Sequence, residues 1–444
     1  MLLEMRKGLF TIALGLALTG CSLADRWLGE DEDPPLPGAR ISIHSGDKGL
    51  TADSSISDQR ILLPQPFENT FWTHNGGNPA HAMFHLSLGE MPREIWSDGI
   101  GEENDGDEII LAQPLVVESV LFTMDSRSTV KAYDRNTGKV YWEKDLEPDD
   151  EEDGFFGGGI AYADGRIFVS TGFARVFALD VRSGSILWSQ DVPAPMRAAP
   201  TVNGGRVFIV TLDNQTISLA ADDGRRLWSH VGVQAETSLL GGASPAVAGR
   251  ILIVPYSSGE IVAIDVVEGD VKWGIDLSSV QKTDPLTDLA HIKAMPVIDR
   301  DRVIAISHSG RMVAIDMKEG VRLWDTDIGG VQMPWVAGDF IYVLTNDAQV
   351  AAVRRDDGRI RWVQPLPRFT DPEDRKGLIV WQGPVLASDR LIVAGSHGEA
   401  ISLSPYTGEV LGFLDLPDGA AMPPVVAGNG LYFLTAEAEI IAMR

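Results

Sequence analysis

The side chains able to do chemistry are few. His74, His81 and His85 fall close together, and His81-x-x-x-His85 has the spacing that would place two imidazoles on one face of a helix, as a metal site requires. No nearby acidic or thiol side chain completes such a site. These imidazoles are therefore expected to serve packing and loop hydrogen bonds, with no metal bound. His230, His291, His308 and His397 are scattered. The stretch from Glu102 to Glu108, Glu-Glu-Asn-Asp-Gly-Asp-Glu, loosely resembles a calcium loop but lacks the ligand spacing of an EF-hand. Neither Gly-x-Ser-x-Gly, His-Glu-x-x-His nor a phosphate-binding glycine loop occurs. No catalytic residue is assigned.

One thiol is present, Cys21, and its surroundings point to a different use. Arg6 and Lys7 precede an apolar run from Leu9 to Leu18, too short to cross a bilayer but right for the core of a secretory signal. Thr19 and Gly20, both small, lead into the cysteine. The arrangement resembles the lipobox of bacterial lipoproteins. That resemblance implies cleavage before Cys21 and acylation, by chains such as palmitate, of its sulfur and its new amine. A single chain binds membranes marginally, at about 0.8 kcal/mol per buried methylene, and two or three bind durably. Ser22 stands where an Asp would mark inner-membrane retention, so the resemblance implies an outer-membrane address.

Three segments follow: a signal peptide over 1–20, a lipidated N-terminus and flexible tether over 21–68, and a folded domain over 69–444. The tether includes Asp33-Pro34-Pro35-Leu36-Pro37-Gly38 and has little hydrophobic periodicity. No second apolar stretch reaches membrane-spanning length. The formal net charge of −26 repels phosphate backbones and argues against nucleic acid as a partner. Acidic runs such as Asp149-Asp150-Glu151-Glu152-Asp153 are read as solvated loops.

The elements that position everything else come from a repeat. The pattern Ala-x-Asp-x-x-(Thr/Ser/Glu)-Gly-x-x-x-Trp occurs as Ala132-Tyr133-Asp134 with Gly138 and Trp142, and again ending at Trp188, Trp273 and Trp324. Weaker copies end at Trp228, at Trp362 and at Gly412, where the Trp is replaced. A pair of Val- and Ile-rich strands precedes each copy. The interval from the first strand to the Trp position is 28 residues in every copy: Pro114 to Trp142, Ile160 to Trp188, Pro200 to Trp228, Pro245 to Trp273, Pro296 to Trp324, Pro334 to Trp362 and Pro384 to Gly412. A fixed frame with one variable connection is the signature of a propeller blade, a small sheet that cannot bury both faces alone. The glycine suits a turn needing positive φ, the Asp can brace that turn, and the Trp can wedge between adjacent sheets.

An eighth frame begins at Pro424 and would place its Trp at position 452, eight residues beyond Arg444. Gly89 to Trp96 supplies the missing piece. The expected fold is thus all-β: an eight-bladed β-propeller of four-stranded antiparallel blades, closed by pairing N- and C-terminal strands. Trp96, Trp142, Trp188, Trp228, Trp273, Trp324 and Trp362 are its structural repeat positions.

The repeat resembles the PQQ-like repeat of quinoprotein dehydrogenases. Together with the lipobox and the lead-in Phe71-Trp72-Thr73-His74-Asn75-Gly76-Gly77-Asn78, it is similar to the BamB-like lipoproteins of the outer-membrane β-barrel assembly machinery. That likeness implies a non-catalytic scaffold without a cofactor, lipid-anchored to the outer membrane and facing the periplasm. It also implies that the scaffold binds the periplasmic repeat domains of the barrel subunit, with unfolded outer-membrane proteins as a second class of partner. The alternatives are a PQQ-dependent periplasmic dehydrogenase or another ligand-binding secreted propeller. The dehydrogenases use a calcium-bound quinone beneath an adjacent disulfide-bonded cysteine pair, and this chain has no such pair. The long connections 229–244 and 274–295 share one rim. The resemblance implies that BamB-like proteins grip their partner there with a Leu-rich, Arg-containing stretch and an acidic pair. Leu239 and Gly241 match the first, Leu240 stands in the Arg position, and His291 and Lys293 occupy the acidic pair with Asp288 nearby.

Replacing Cys21 by Ala should leave the protein in the soluble periplasmic fraction or as an uncleaved precursor. Fractionation of a mature Cys21→Ala protein with outer membranes would refute the anchor.

Overall fold

In the computed structural model the chain is described for residues 49–104, 109–148, 157–235, 239–277 and 291–444. Among these, the repeat frames build eight antiparallel sheets, seven of four strands and a first that gains a fifth strand, Phe71–Trp72. A short outlying hairpin pairs Phe369–Asp371 with Lys376–Leu378. Blades are numbered here by the chain order of their inner strands. Inner strands of neighbouring blades touch all the way round, so the sheets close into a ring. No helix among the described residues is long and apolar enough to cross a membrane.

Blade 2 shows how a frame folds. Its middle strands, Arg166–Ser170 and Arg175–Asp180, are buried along most of their length because both faces meet neighbouring blades. Its outer strand, Ile186–Asp191, alternates exposed and half-buried residues. Between the last two strands the Asp180 carboxylate accepts the N–H groups of Arg182 and Ser183 at 3.1 and 2.9 Å, and Gly184 closes the turn at φ +68°. A side chain at Gly184 would start 2.5 Å from the Trp142 ring of blade 1. That ring lies on the bare turn and donates its N–H to the Val181 carbonyl at 3.0 Å.

The same joint recurs at seven of the eight blade boundaries. Trp96, Trp142, Trp188, Trp228, Trp273, Trp324 and Trp362 donate to the carbonyls of Arg135, Val181, Ala221, Val266, Met317, Arg355 and Pro405, all at 2.8–3.1 Å. Each indole sits against the next turn glycine, from Gly138 round to Gly408. The glycine is required twice over, by its positive φ and by the indole.

The ring closes through Glu94–Gly99, which pairs antiparallel with Glu439–Met443 and sets Trp96 opposite Ala442. This corrects the expected piece from Gly89 to Trp96. In every other Trp-bearing blade the Trp is the third residue of its strand, and here too the strand starts at Glu94 and continues past Trp96. Arg93 and Arg444 exchange backbone hydrogen bonds at 2.9 and 2.8 Å, so the chain ends replace a turn.

Residues 69–88 run along the inner edges of the blades, one after another. Asn69 binds the Val426 carbonyl of blade 8, and Trp72 pairs with Val116 of blade 1. The Thr73 carbonyl accepts from Tyr162 of blade 2, and the His74 ring accepts the Val202 N–H of blade 3 at 3.0 Å. Pro79 and Ala80 accept from Val247 and Ile298, Phe84 from the Trp335 indole, and Leu86 pairs with Leu386 and Ser388. Innermost strands would otherwise leave these backbone groups unpaired. Ahead of this segment the chain is already packed. Asp53 donates to the Ile360 carbonyl, Arg361 binds the Gln59 carbonyl, and Ile56 and Ile61 are buried.

Two outcomes follow from this packing. Trp228→Ala removes an indole from the turn of Gly269 and should lower the unfolding free energy by about 3–5 kcal/mol in urea titrations; an effect under about 1 kcal/mol would show that the joints do not carry the ring. The second concerns acid. Burial, with His81 adding to it, pushes His74 down to about 3, and burial pushes His81 down to about 4. Both are neutral in the folded ring, whereas the unfolded chain binds their protons near 6.5. Their contribution is therefore intact above about pH 6.5 and is lost as pH falls toward 4, by up to about 1.4 kcal/mol per pH unit for each imidazole. The stability of His81→Gln should fall less steeply over that window than that of the unsubstituted protein, and parallel curves would contradict the assignment.

Candidate functional site

Propellers offer two places for chemistry, the central channel and the loop-bearing rim. The channel is occupied by the protein itself. Trp72 and Trp335 stack across it with ring centroids 6.4 Å apart. Gln113 accepts from both the Trp72 indole at 3.1 Å and the Gly76 N–H at 2.9 Å, and donates to the Pro423 carbonyl at 3.1 Å. A cavity beside them, bounded by Met295, Met333 and Pro384, is about 20 Å³. That is room for about one water molecule. A tricyclic quinone with its cation does not fit there.

The three N-terminal histidines do not converge. The residues from His81 to His85 form no helix, and His81 and Phe84 both have positive φ. The His81 ring bonds the Pro296 carbonyl at 2.7 Å. The His85 ring bonds the Pro64 carbonyl at 2.7 Å and accepts the Asp389 N–H at 2.9 Å. The spacing is overridden because each ring is held by a different blade or loop. Among the described residues no group of three or more His, Cys, Asp or Glu side chains is placed to hold a metal. Cys21 and part of the acidic stretch at 102–108 lie outside the described residues.

On the rim, the connection after blade 3 meets the connection after blade 4. Leu239 donates its N–H to His291 Nδ1 at 2.8 Å. His291 is buried; its burial, with the charges of Lys293 and His308 adding to it, pushes it down to about 4. It is therefore a neutral acceptor that holds one loop to the other. Gly241 has φ +88° and lies against the Lys293 side chain. So Leu239, Leu240, Gly241, His291 and Lys293 are gathered, while Asp288 lies outside the described residues.

Beside them is an apolar groove of about 540 Å³ lined by Leu239, Leu240, Lys293, Leu378, Val380 and Trp381. Leu378 and Val380 are 64% and 50% exposed. These last residues come from the long connection between blades 6 and 7, which folds as the outlying hairpin. Its signal in the sequence is Asp371-Pro372-Glu373-Asp374, a turn between Phe369-Thr370 and Gly377-Leu378.

The sequence profile described as outer membrane protein assembly factor BamB matches residues 126–364, more than half of the chain. BamB of Yersinia pestis is 28% identical, over 69% of this chain and 87% of its own length. A Rickettsia conorii protein of no assigned function is 26% identical, and the matched span covers 60% of this chain and 65% of that protein, less than two thirds of its length. Among solved structures, BamB from Moraxella catarrhalis superposes with a TM-score of 0.68 at 19% identity, over 80% of this chain and all of that one. A europium-containing methanol dehydrogenase superposes at 0.65 with 14% identity, over 82% of this chain and 89% of that one. The structural likenesses show the shared propeller, and the profile match shows the family: this chain belongs to the outer membrane protein assembly factor BamB family.

Proposed function

We propose that the protein is a non-catalytic scaffold of the outer-membrane β-barrel assembly machinery. It is held to the outer membrane by acyl chains on Cys21, with its propeller in the periplasm, and it binds the periplasmic repeat domains of the barrel subunit through the rim groove. The observation that carries this reading is the groove beside Leu239 and Leu240, an apolar surface built by loops on a rigid ring, where binding tends to reside. Family membership supports the assembly role. The closed channel argues against a quinone-dependent dehydrogenase, because cofactor and substrate would need the space filled by Trp72, Gln113 and Trp335.

The test is recovery of the barrel subunit from detergent-solubilised envelopes. Leu239→Asp with Leu240→Asp should reduce recovery at least tenfold while leaving the protein folded, since both side chains are only half-buried. Undiminished recovery by the folded variant would remove the rim groove from the interface. Recovery of no barrel subunit by the unsubstituted protein would remove the scaffold reading.

A further inference from the structure

Three uncharged side chains with donor atoms meet beside Gly76, in the segment that runs along the inner edges of the blades. A side chain begun at Gly76 would start 2.8 Å from Met333 Sδ and 3.2 Å from both the His81 ring and the Met295 methyl group. These groups come from three parts of the chain. His81 belongs to the inner segment, Met295 precedes the first strand of blade 5, Val297–Asp299, and Met333 precedes that of blade 6, Trp335–Ala337.

The His81 ring is held at one nitrogen and free at the other. A carbonyl only accepts, so the 2.7 Å bond to Pro296 puts the proton of the neutral ring on Nδ1. Nε2 therefore carries the lone pair. It is buried, in a residue only 1% exposed, and no hydrogen-bond donor meets it among the described residues. His74 and His85, by contrast, each use both ring nitrogens. A buried acceptor left without a donor costs about 1–3 kcal/mol. An imidazole fixed through one nitrogen by a backbone carbonyl is how proteins present the other nitrogen to a metal ion.

The neighbouring atoms decide which ion. Thioethers are soft ligands and suit copper(I), whereas magnesium, calcium and manganese take oxygen. Among the described residues, no carboxylate or thiolate lines the cavity that Met295 and Met333 share with Trp72 and Trp335. The cost of burying an ion grows with the square of its charge, so an uncharged ligand set favours a monovalent one. Both methionines are half-buried, which leaves them within reach of an ion without opening of the ring.

We propose that His81 Nε2 and the thioethers of Met295 and Met333 bind a soft monovalent cation, copper(I) or its redox-inert analogue silver(I), inside the ring. No acid or thiol accompanies His81 in the sequence; the fold brings it methionines from more than 200 positions away. The bound ion ties the inner segment to the connections that lead into blades 5 and 6. The site shares no residue with the rim groove and does not rest on the scaffold reading.

The test uses the full-length chain, untagged and with Cys21→Ala to remove the one thiol. Titrated with copper(I) under nitrogen in competition with bicinchoninate, it should retain one ion per chain. X-ray absorption at the copper edge should show both sulfur and imidazole nitrogen around that ion. Silver(I) should raise the thermal midpoint, since an ion bound only by the folded ring stabilises it. Met295→Leu with Met333→Leu keeps size and apolarity and should weaken copper(I) binding at least tenfold in the folded protein. His81→Gln should weaken it as well, which keeps the test decisive if the double variant fails to fold. Failure to hold copper(I) against the competitor, a spectrum without sulfur, zinc(II) held as firmly as copper(I), or unchanged affinity in the folded variants would each overturn the proposal.

Discussion

An indole resting on the glycine turn of the next blade, with its N–H donated into that turn, sets the geometry of the whole ring. A single blade has two apolar faces and can bury neither alone. The joint aligns one face with the next by a bulky contact that only glycine permits and a hydrogen bond with one acceptor. Trp142 therefore specifies the position of Gly184, Trp188 that of Gly224, and so on round the circle. Asp180 and its counterparts matter to the same end, since the turn they brace is the surface the indole needs. Ring size follows from repetition, and closure follows from pairing the strand around Trp96 with the last strand of the chain.

Closure leaves a second requirement, the inner edges. Eight short inner strands face a common axis and carry backbone groups that need partners. Residues 69–88 supply many of them from one continuous piece of chain, which then passes directly into the closing strand Glu94–Gly99. Filling and closing the ring are thus coupled. The same arrangement decides where chemistry can reside. The cavity beside Trp72, Trp335 and Gln113 has room for about one water molecule and not for a large ligand, whereas the rim groove is far larger.

The ring was legible in the sequence because one physical job recurs at one spacing. Trp, Gly and Asp are distinctive residues, the four clean copies carry all three, and 28 residues separate the same two points in each of the seven full frames. The course of residues 69–88 was not legible, for the opposite reason. Their contacts are mostly main-chain to main-chain, made once per blade, and leave no residue pattern. Residues 49–68 read as tether because they are polar, yet Asp53 and Gln59 attach to blade 6 through backbone atoms that composition does not report. The His81–His85 spacing suggested a helix that long-range bonds to Pro296 and Pro64 prevent. On the rim, Leu239, Leu240 and His291 could be named from loop position and family resemblance, whereas their neighbours Leu378, from the outlying hairpin, and Trp381, from the first strand of blade 7, lie some 140 positions away.

The chemistry of the rim differs from what the family resemblance alone implies. That resemblance calls for an Arg in one loop and an acidic pair in the other, and this chain has Leu240 and the residues His291 and Lys293. The structure separates the roles of the last two. His291 is buried, neutral and spent on the Leu239 N–H, so it acts as a strut. Lys293 lines the groove, and burial holds its ammonium below the ordinary lysine range. The groove thus joins mostly apolar side chains to the basic side chains Lys293 and Arg368, in a chain whose net charge is −26. Burying an ion pair costs desolvation that Coulomb attraction only partly repays. In the interface proposed above, apolar anchors such as Leu240, Val380 and Trp381 would supply most of the affinity. Against the pattern that the resemblance implies, the proposed interface keeps the loop position and the apolar contact, and has Leu240 in the Arg position with His291 and Lys293 in place of the acidic pair.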